Sequence, residues 1–322
     1  LPTSSSPSTA EGGDPAAAWP RLASLQLVVV TGKGGVGKSV ITACLGRLLA
    51  DAGRTVLLME TDPRESLHHL LDIAPSGGGI VPAGARLFLQ NLQPRRVLDD
   101  LVRERLKIPA MARRVLGSAV YQHFAEAAPG LKEAGVLGRA LRLVEGHGPR
   151  ELRRPDVVVL DAPATGHGIT FLQAPMLVRD VVRSGPVGRM AADITAFVTD
   201  PQRTGIVVVT SAEEMPVQEA VELIAGLDER LRRRPELIVV NGLYPPVPAG
   251  DPGRSNDTRT AFELWRRRRA INERELERLA AAWSGPRIHL PLVAEDRGPR
   301  LLATLAGLLA AGLGVRPRGT GS

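Results

Sequence analysis

One octapeptide constrains this chain more than any other stretch. Gly32-Lys33-Gly34-Gly35-Val36-Gly37-Lys38-Ser39 satisfies the pattern G-x-x-x-x-G-K-[ST] and lies between an apolar run and a helical pattern. Glycines let the backbone curl until consecutive N–H groups point at phosphate oxygens, and the helix N-terminus adds partial positive charge. The expected phosphate cradle is therefore Gly32, Gly34, Gly35, Val36, Gly37, Lys38, Ser39 and Val40. Lys38 would bridge the β- and γ-phosphates, and the Ser39 hydroxyl would ligate Mg2+. A tight turn without a ligand explains these residues poorly. Lysine is rare here, four of 41 basic residues, yet two of the four sit in this loop.

Such a loop needs a strand behind it. Apolar runs at Leu25–Val30, Arg54–Glu60, Arg86–Asn91, Asp156–Leu160, Gly205–Thr210, Glu236–Val240 and Arg287–Leu290 alternate with helical patterns. Continuous runs of this kind suit strands covered on both faces, which predicts an α/β fold with a mostly parallel, doubly wound P-loop sheet. The alternation fails at about 94–154 and 175–200, where only helical patterns occur, so a helical subdomain is expected on the sheet. Residues 1–20, rich in Ser, Pro, Gly and Ala, are expected to be disordered, and 316–322 a flexible tail. That leaves one nucleotide-binding domain over 21–315. The uncharged run Leu301–Val315 falls short of the ~20 residues a membrane-spanning helix requires. Its leucines at 301, 305, 308 and 309 share one helical face, as in a core-packed helix.

Two carboxylates fall where such sheets bind ligands, at the C-terminal ends of strands. Asp62, in "METDPRESLHHLL", could orient or deprotonate water attacking a γ-phosphate, or could cap the next helix with Pro63 behind it. Asp161 follows four apolar residues, the Walker B arrangement of a carboxylate near the Mg2+ shell. The small-residue stretch from Ala162 to Gly168 resembles a switch that senses the γ-phosphate. His167 within it is equally a surface or packing residue.

The net charge of +7 and pI near 10.4 raise the question of nucleic acid. Arginines are spread along the chain among acids, and no basic stripe interleaved with aromatics stands out, so no nucleic-acid partner is expected. An acidic partner or a peripheral place at a membrane surface stays open. The single cysteine, Cys44, excludes an internal disulfide and a cysteine-built metal cluster. With no leader pattern at the start, a cytoplasmic setting is expected.

Taken together, these motifs carry a resemblance. "GKGGVGKS" with its early lysine is similar to the deviant Walker A of the signal-recognition, MinD and BioD class of NTPases. "TDP", "TGH" with "FLQ-P", "EEMPVQEA", "PGLKEAGVLG" and "PLVAED" narrow this to the ArsA/GET family, over about Leu25 to Leu309. The resemblance implies an ATPase that uses ATP and Mg2+ at a dimer interface to open and close helical subdomains around a client, such as a tail-anchored membrane protein. It assigns Lys33 to the nucleotide of the neighbouring subunit, Asp62 to polarising water, and Asp161 to Mg2+ through water. Asn241 would meet the adenine edge, with Pro291 and Leu292 flanking that base. Without the resemblance, Asn241 is only a turn former ending its strand.

Departures from the family matter too. "YPPVPAGDPGRSND" has no C-x-x-C, so no zinc is expected in the homodimer or heterodimer, and Cys44 alone supplies no metalloid site. "DAPATGH" and "GIT" differ from the commoner switch segments, which touches the coupling to a client. Met111, Met176 and Met190, with Leu101, Ile108, Val115, Leu116, Val120 and Phe124, are expected to line an apolar client groove or else the core. Two other functions stay open: the soluble energising subunit of an anion or metalloid transporter, and a nucleotide-gated scaffold within a heterodimer.

Overall fold

The computed structural model describes residues 13–315, apart from 63–65, 106–107, 120, 123–127, 129, 164–167, 183 and 247–255. Its centre is an eight-stranded sheet of order β3-β4-β2-β5-β1-β6-β7-β8. The strands are β1 (Leu27–Thr31), β2 (Val56–Glu60), β3 (Val81–Pro82), β4 (Leu87–Asn91), β5 (Val157–Asp161), β6 (Thr204–Thr210), β7 (Leu237–Leu243) and β8 (Arg287–Pro291). All neighbours pair in parallel except β3, which runs antiparallel to β4 at the edge. Every strand expected from the apolar runs is present, and β3, too short to show a period, is the addition. Pro82 is tolerated there because an edge strand leaves one side unpaired.

The strands read as unbroken apolar runs because helices cover both faces. Leu27 and Val29 point into one core cluster, Val28 and Val30 into the other. One layer contains α1 (Ala18–Ser24), α2 (Lys38–Asp51), α3 (Ser66–Leu71) and α11 (Pro299–Gly312). The other is thicker: α4 (Pro94–Arg105), α5 (Pro109–Leu116), α6 (Leu131–Val144), α7 (Gly168–Val181), α8 (Gly185–Thr199), α9 (Glu214–Leu231) and α10 (Asn256–Ala282). Of these, α4 packs on α6, and α6, α7 and α8 pack on one another, with α7 starting at Gly168 rather than near 175. The break expected near Gly185 separates α7 from α8.

Three expectations change. Residues 15–24, which fall largely within the segment expected to be disordered, form a 3-10 turn and α1, while 1–12 lie outside the described residues. Asp14 accepts from Ala16 N at 2.9 Å, and Ala18 and Leu22, four apart, are buried. Composition concealed that short apolar pair. In α11 the buried face is Leu302, Leu305 and Leu309, whereas Leu308 is 37% exposed. Strand β7 runs on to Leu243 through an irregularity after Val240, so Asn241 sits at a bulge rather than a strand end. The tail from 316 also lies outside the described residues. Among the described residues, no helix is long and apolar enough to cross a membrane.

Candidate functional site

The strand order places the C-terminal ends of β1, β2 and β5 side by side, which brings the glycine loop, Asp62 and Asp161 together. The loop holds its curl through glycine. Gly32 has φ +144° and lies so close to β6 that a Cβ would sit 2.0 Å from Val209 O. Gly37, at φ +95°, begins α2, and a Cβ there would strike the Asn241 amide at 2.3 Å. Only glycine fits either position.

The cradle opens on a cavity of about 620 Å3, lined by Gly35, Gly37, Lys38, Ser39 and Val40 from the loop and α2. Asp62 and Asp161 close it from neighbouring strands, and Arg297 and Leu301 from the start of α11. Val36 turns its side chain into the core beneath the loop, and Gly34 is exposed. Lys38 is 7% exposed, and its Nζ donates to Lys33 O at 2.9 Å. Burial lowers the Lys38 pKa, against the opposing pull of Asp161, Asp62 and Glu219. Ser39 Oγ donates to Asp161 Oδ2 at 2.6 Å. Asp161 is itself buried, which pushes its pKa up to about 6 against the Ser39 hydrogen bond and the Lys38 charge.

These residues fit Mg2+ bound with a nucleotide. Asp161 Oδ1 is buried and has no hydrogen-bond partner among the described residues, the state of an acceptor awaiting a cation's water. No group of three or more His, Cys, Asp or Glu is arranged for a metal among the described residues. The phosphates would therefore have to complete any shell begun by Ser39 and Asp161.

The two loop lysines part company. Lys33 lines a different cleft, of about 180 Å3, with Glu219, Glu222 and Arg230 of α9, and its Nζ pairs with the Glu219 carboxylate. The adenine-side residues expected from resemblance stand apart from the main cavity. Asn241 Nδ2 donates to Val36 O at 3.0 Å and so braces the glycine loop. Leu292 is 50% exposed, its N donating to Leu243 O at 2.7 Å, and Pro291 ends β8. Residues 164–167 of the segment expected to act as a switch, His167 among them, and Pro63 lie outside the described residues.

Two residues of the site escaped sequence reasoning. Arg297 reaches the cavity and donates to Ser66 O at 3.3 Å. Its only signal is its place just before Gly298 and Pro299, which open α11. Glu219 lies inside "EEMPVQEA", but nothing local shows that it faces a lysine 186 residues away.

Comparison with known proteins agrees with this geometry. The family model described as anion-transporting ATPase matches residues 25–190. "ATPase BagA" of Mycobacterium tuberculosis is 34% identical over 235 residues, 68% of this chain and 66% of that protein. An "Arsenical pump-driving ATPase" of Escherichia coli is 28% identical over 67% of this chain and 39% of its own length. "ATPase GET3" of Chaetomium globosum is 30% identical over 47% of this chain and 43% of its own. The chain thus spans slightly less than two thirds of the mycobacterial relative and well under half of the other two.

Proposed function

The chain belongs to the anion-transporting ATPase family, and from that premise we propose that it hydrolyses Mg-ATP as half of a nucleotide-dependent dimer. The observation that supports this most is the convergence of Lys38, Ser39, Asp62 and Asp161 on one glycine-cradled cavity. Lys38 gives up its bond to Lys33 O and turns to the β- and γ-phosphates. Ser39 and, through water, Asp161 would hold a Mg2+ ion, which would supply positive charge beside the phosphates. Asp62 orients the attacking water in line with the bond that breaks. Lys33, set in its own cleft, serves the nucleotide of the neighbouring subunit and leaves Glu219 to do so.

The helical subdomain is the part that would handle a client. Ile108, the extended residue that caps α5, and Met111 and Val115 within it are 57%, 51% and 37% exposed. Leu177 and Val181 of α7 are 45% and 80% exposed. Apolar faces left open in this way support an apolar client, such as a membrane-protein segment. A thiolate-held metalloid finds less support. Cys44 is fully buried against α11, and burial pushes its thiol up to about 12. The dimer is proposed to form in the cytoplasm, between identical or paralogous chains, without zinc.

Steady-state turnover and nucleotide affinity test the division of labour. Lys38→Ala should impair both, whereas Lys33→Ala should lower turnover by about a hundredfold or more while sparing affinity. Equal loss of affinity in the two variants would remove the case for Lys33 acting across an interface.

A further inference from the structure

Two buried polar side chains beside the cavity take no part in the chemistry above. Glu60 ends β2, a strand otherwise made of Val, Leu, Leu and Met, and is 0% exposed. Asn91 ends β4 at 4% exposure, directly opposite Glu60 in the parallel register. Burying a carboxylate away from any cation costs several kcal/mol. Glu60 has no ion pair among the described residues, and the charges beside it are the acids Asp161 and Asp62. Packing alone gives no reason for a glutamate there.

What Glu60 and Asn91 touch is the segment that carries Asp62. The Glu60 carboxyl accepts from Leu67 N, in the first turn of α3, at 3.1 Å to Oε2 and 3.4 Å to Oε1. The Asn91 side chain lies beside the same carboxyl, and its Nδ2 donates to Asp62 O at 2.7 Å. Asp62 itself and the first turn of α3 beyond it are thereby tied to two adjacent strand ends.

We propose that Glu60 and Asn91 are positioning residues, a buried brace that fixes Asp62 at the phosphate cavity so that hydrolysis finds its water-orienting carboxylate in place. This rests on the reading of Asp62 given above. The leverage is large, because a misplacement of about 1 Å in a reacting group can cost about a hundredfold in rate. The brace acts through backbone atoms, so any side chain at position 60 with an oxygen acceptor serves, and an apolar one of similar size does not.

The test is steady-state hydrolysis of Mg-ATP by the full chain, read as kcat and KM separately, with thermal melting alongside. Glu60→Met removes the acceptor while filling the space, and relieves the burial of an unpaired carboxyl. It should melt no lower than the unaltered protein and keep its KM within about twofold, yet lose about tenfold or more in kcat. Glu60→Gln keeps an acceptor for Leu67 N and should restore kcat to within about threefold. Asn91→Ala should lower kcat in the manner of Glu60→Met. Ordinary kcat in both Glu60→Met and Asn91→Ala would overturn the proposal. So would a loss of kcat that tracks a fall in melting temperature and is not restored by Glu60→Gln. Asp62→Asn separates the two layers of the argument. If it is slow while Glu60→Met and Asn91→Ala are fast, only the brace falls. If Asp62→Asn turns over normally, the role of Asp62 falls and the brace with it.

Discussion

The two lysines of the glycine loop, five residues apart, meet entirely different surroundings. Lys38 is buried over the cavity, whereas Lys33 is half-buried in a cleft of its own against Glu219. A partly exposed ion pair of this kind contributes at most about 1 kcal/mol, so it can hold Lys33 at home without locking it there. Glu219→Gln should therefore strengthen ATP-dependent association of two chains by up to about fivefold, measured by mass with a hydrolysis-resistant analogue. Unchanged association would mean that Lys33 has no competing partner in its own chain. Glu60 offers a second prediction. Burial raises its pKa from 4.5 to about 7, so the folded state favours the protonated acid. The stability this gives is fully present below pH 4.5 and is lost as pH rises through 7. Glu60→Gln cannot ionise, so it should remove up to about 3 kcal/mol of that decline, seen as a flatter melting profile between pH 5 and pH 8. A profile as steep as that of the unaltered chain would assign the decline to other groups, Asp161 first.

Elements differ in how plainly the sequence announces them. The strands were legible because helices on both faces require unbroken apolar runs, and Leu57, Val158 and Val207 fill such runs at 0% exposure. The glycine loop was legible because its curl is local: the glycine spacing and the start of α2 fall within a few residues. Its tertiary constraint was not, since nothing in the octapeptide shows Val209 O pressed against Gly32. Gly32→Ala should destabilise the fold by about 2 kcal/mol or more and weaken nucleotide binding, because the obstacle is backbone and cannot swing aside. Melting and affinity measurements check this, and a variant that melts normally would mean that β6 gives way. Where an element depends on one or two contacts, the sequence was a poor guide. Helix α1 buries Ala18 and Leu22, and the irregularity in β7 falls where Asn241 braces the loop through Val36 O.

At the scale of the whole molecule, the sheet carries the glycine-cradled cavity and the helical layer carries open apolar faces. Replacing Ile108, Met111 and Val115 by serine should abolish ATP-dependent retention of a short transmembrane peptide while leaving basal hydrolysis within about twofold. Retention that persists would move the client surface elsewhere, to Leu177 and Val181 first. Of the groove residues expected from the sequence, Leu116 is half-buried, Met176 and Met190 are partly buried against the core, and Val120, Phe124 and the Leu101 side chain lie outside the described residues. By itself the sequence determined the α/β class, the phosphate loop and the two acidic strand ends, because these depend on period, composition and bonding within a few residues. Only the tertiary structure decided what those groups meet. Ser39 finds Asp161 across 122 positions, Lys33 finds Glu219 across 186, and Glu60 and Asn91 close on the segment of Asp62. Such pairings follow from strand order and helix packing, which bring together residues that share no local pattern.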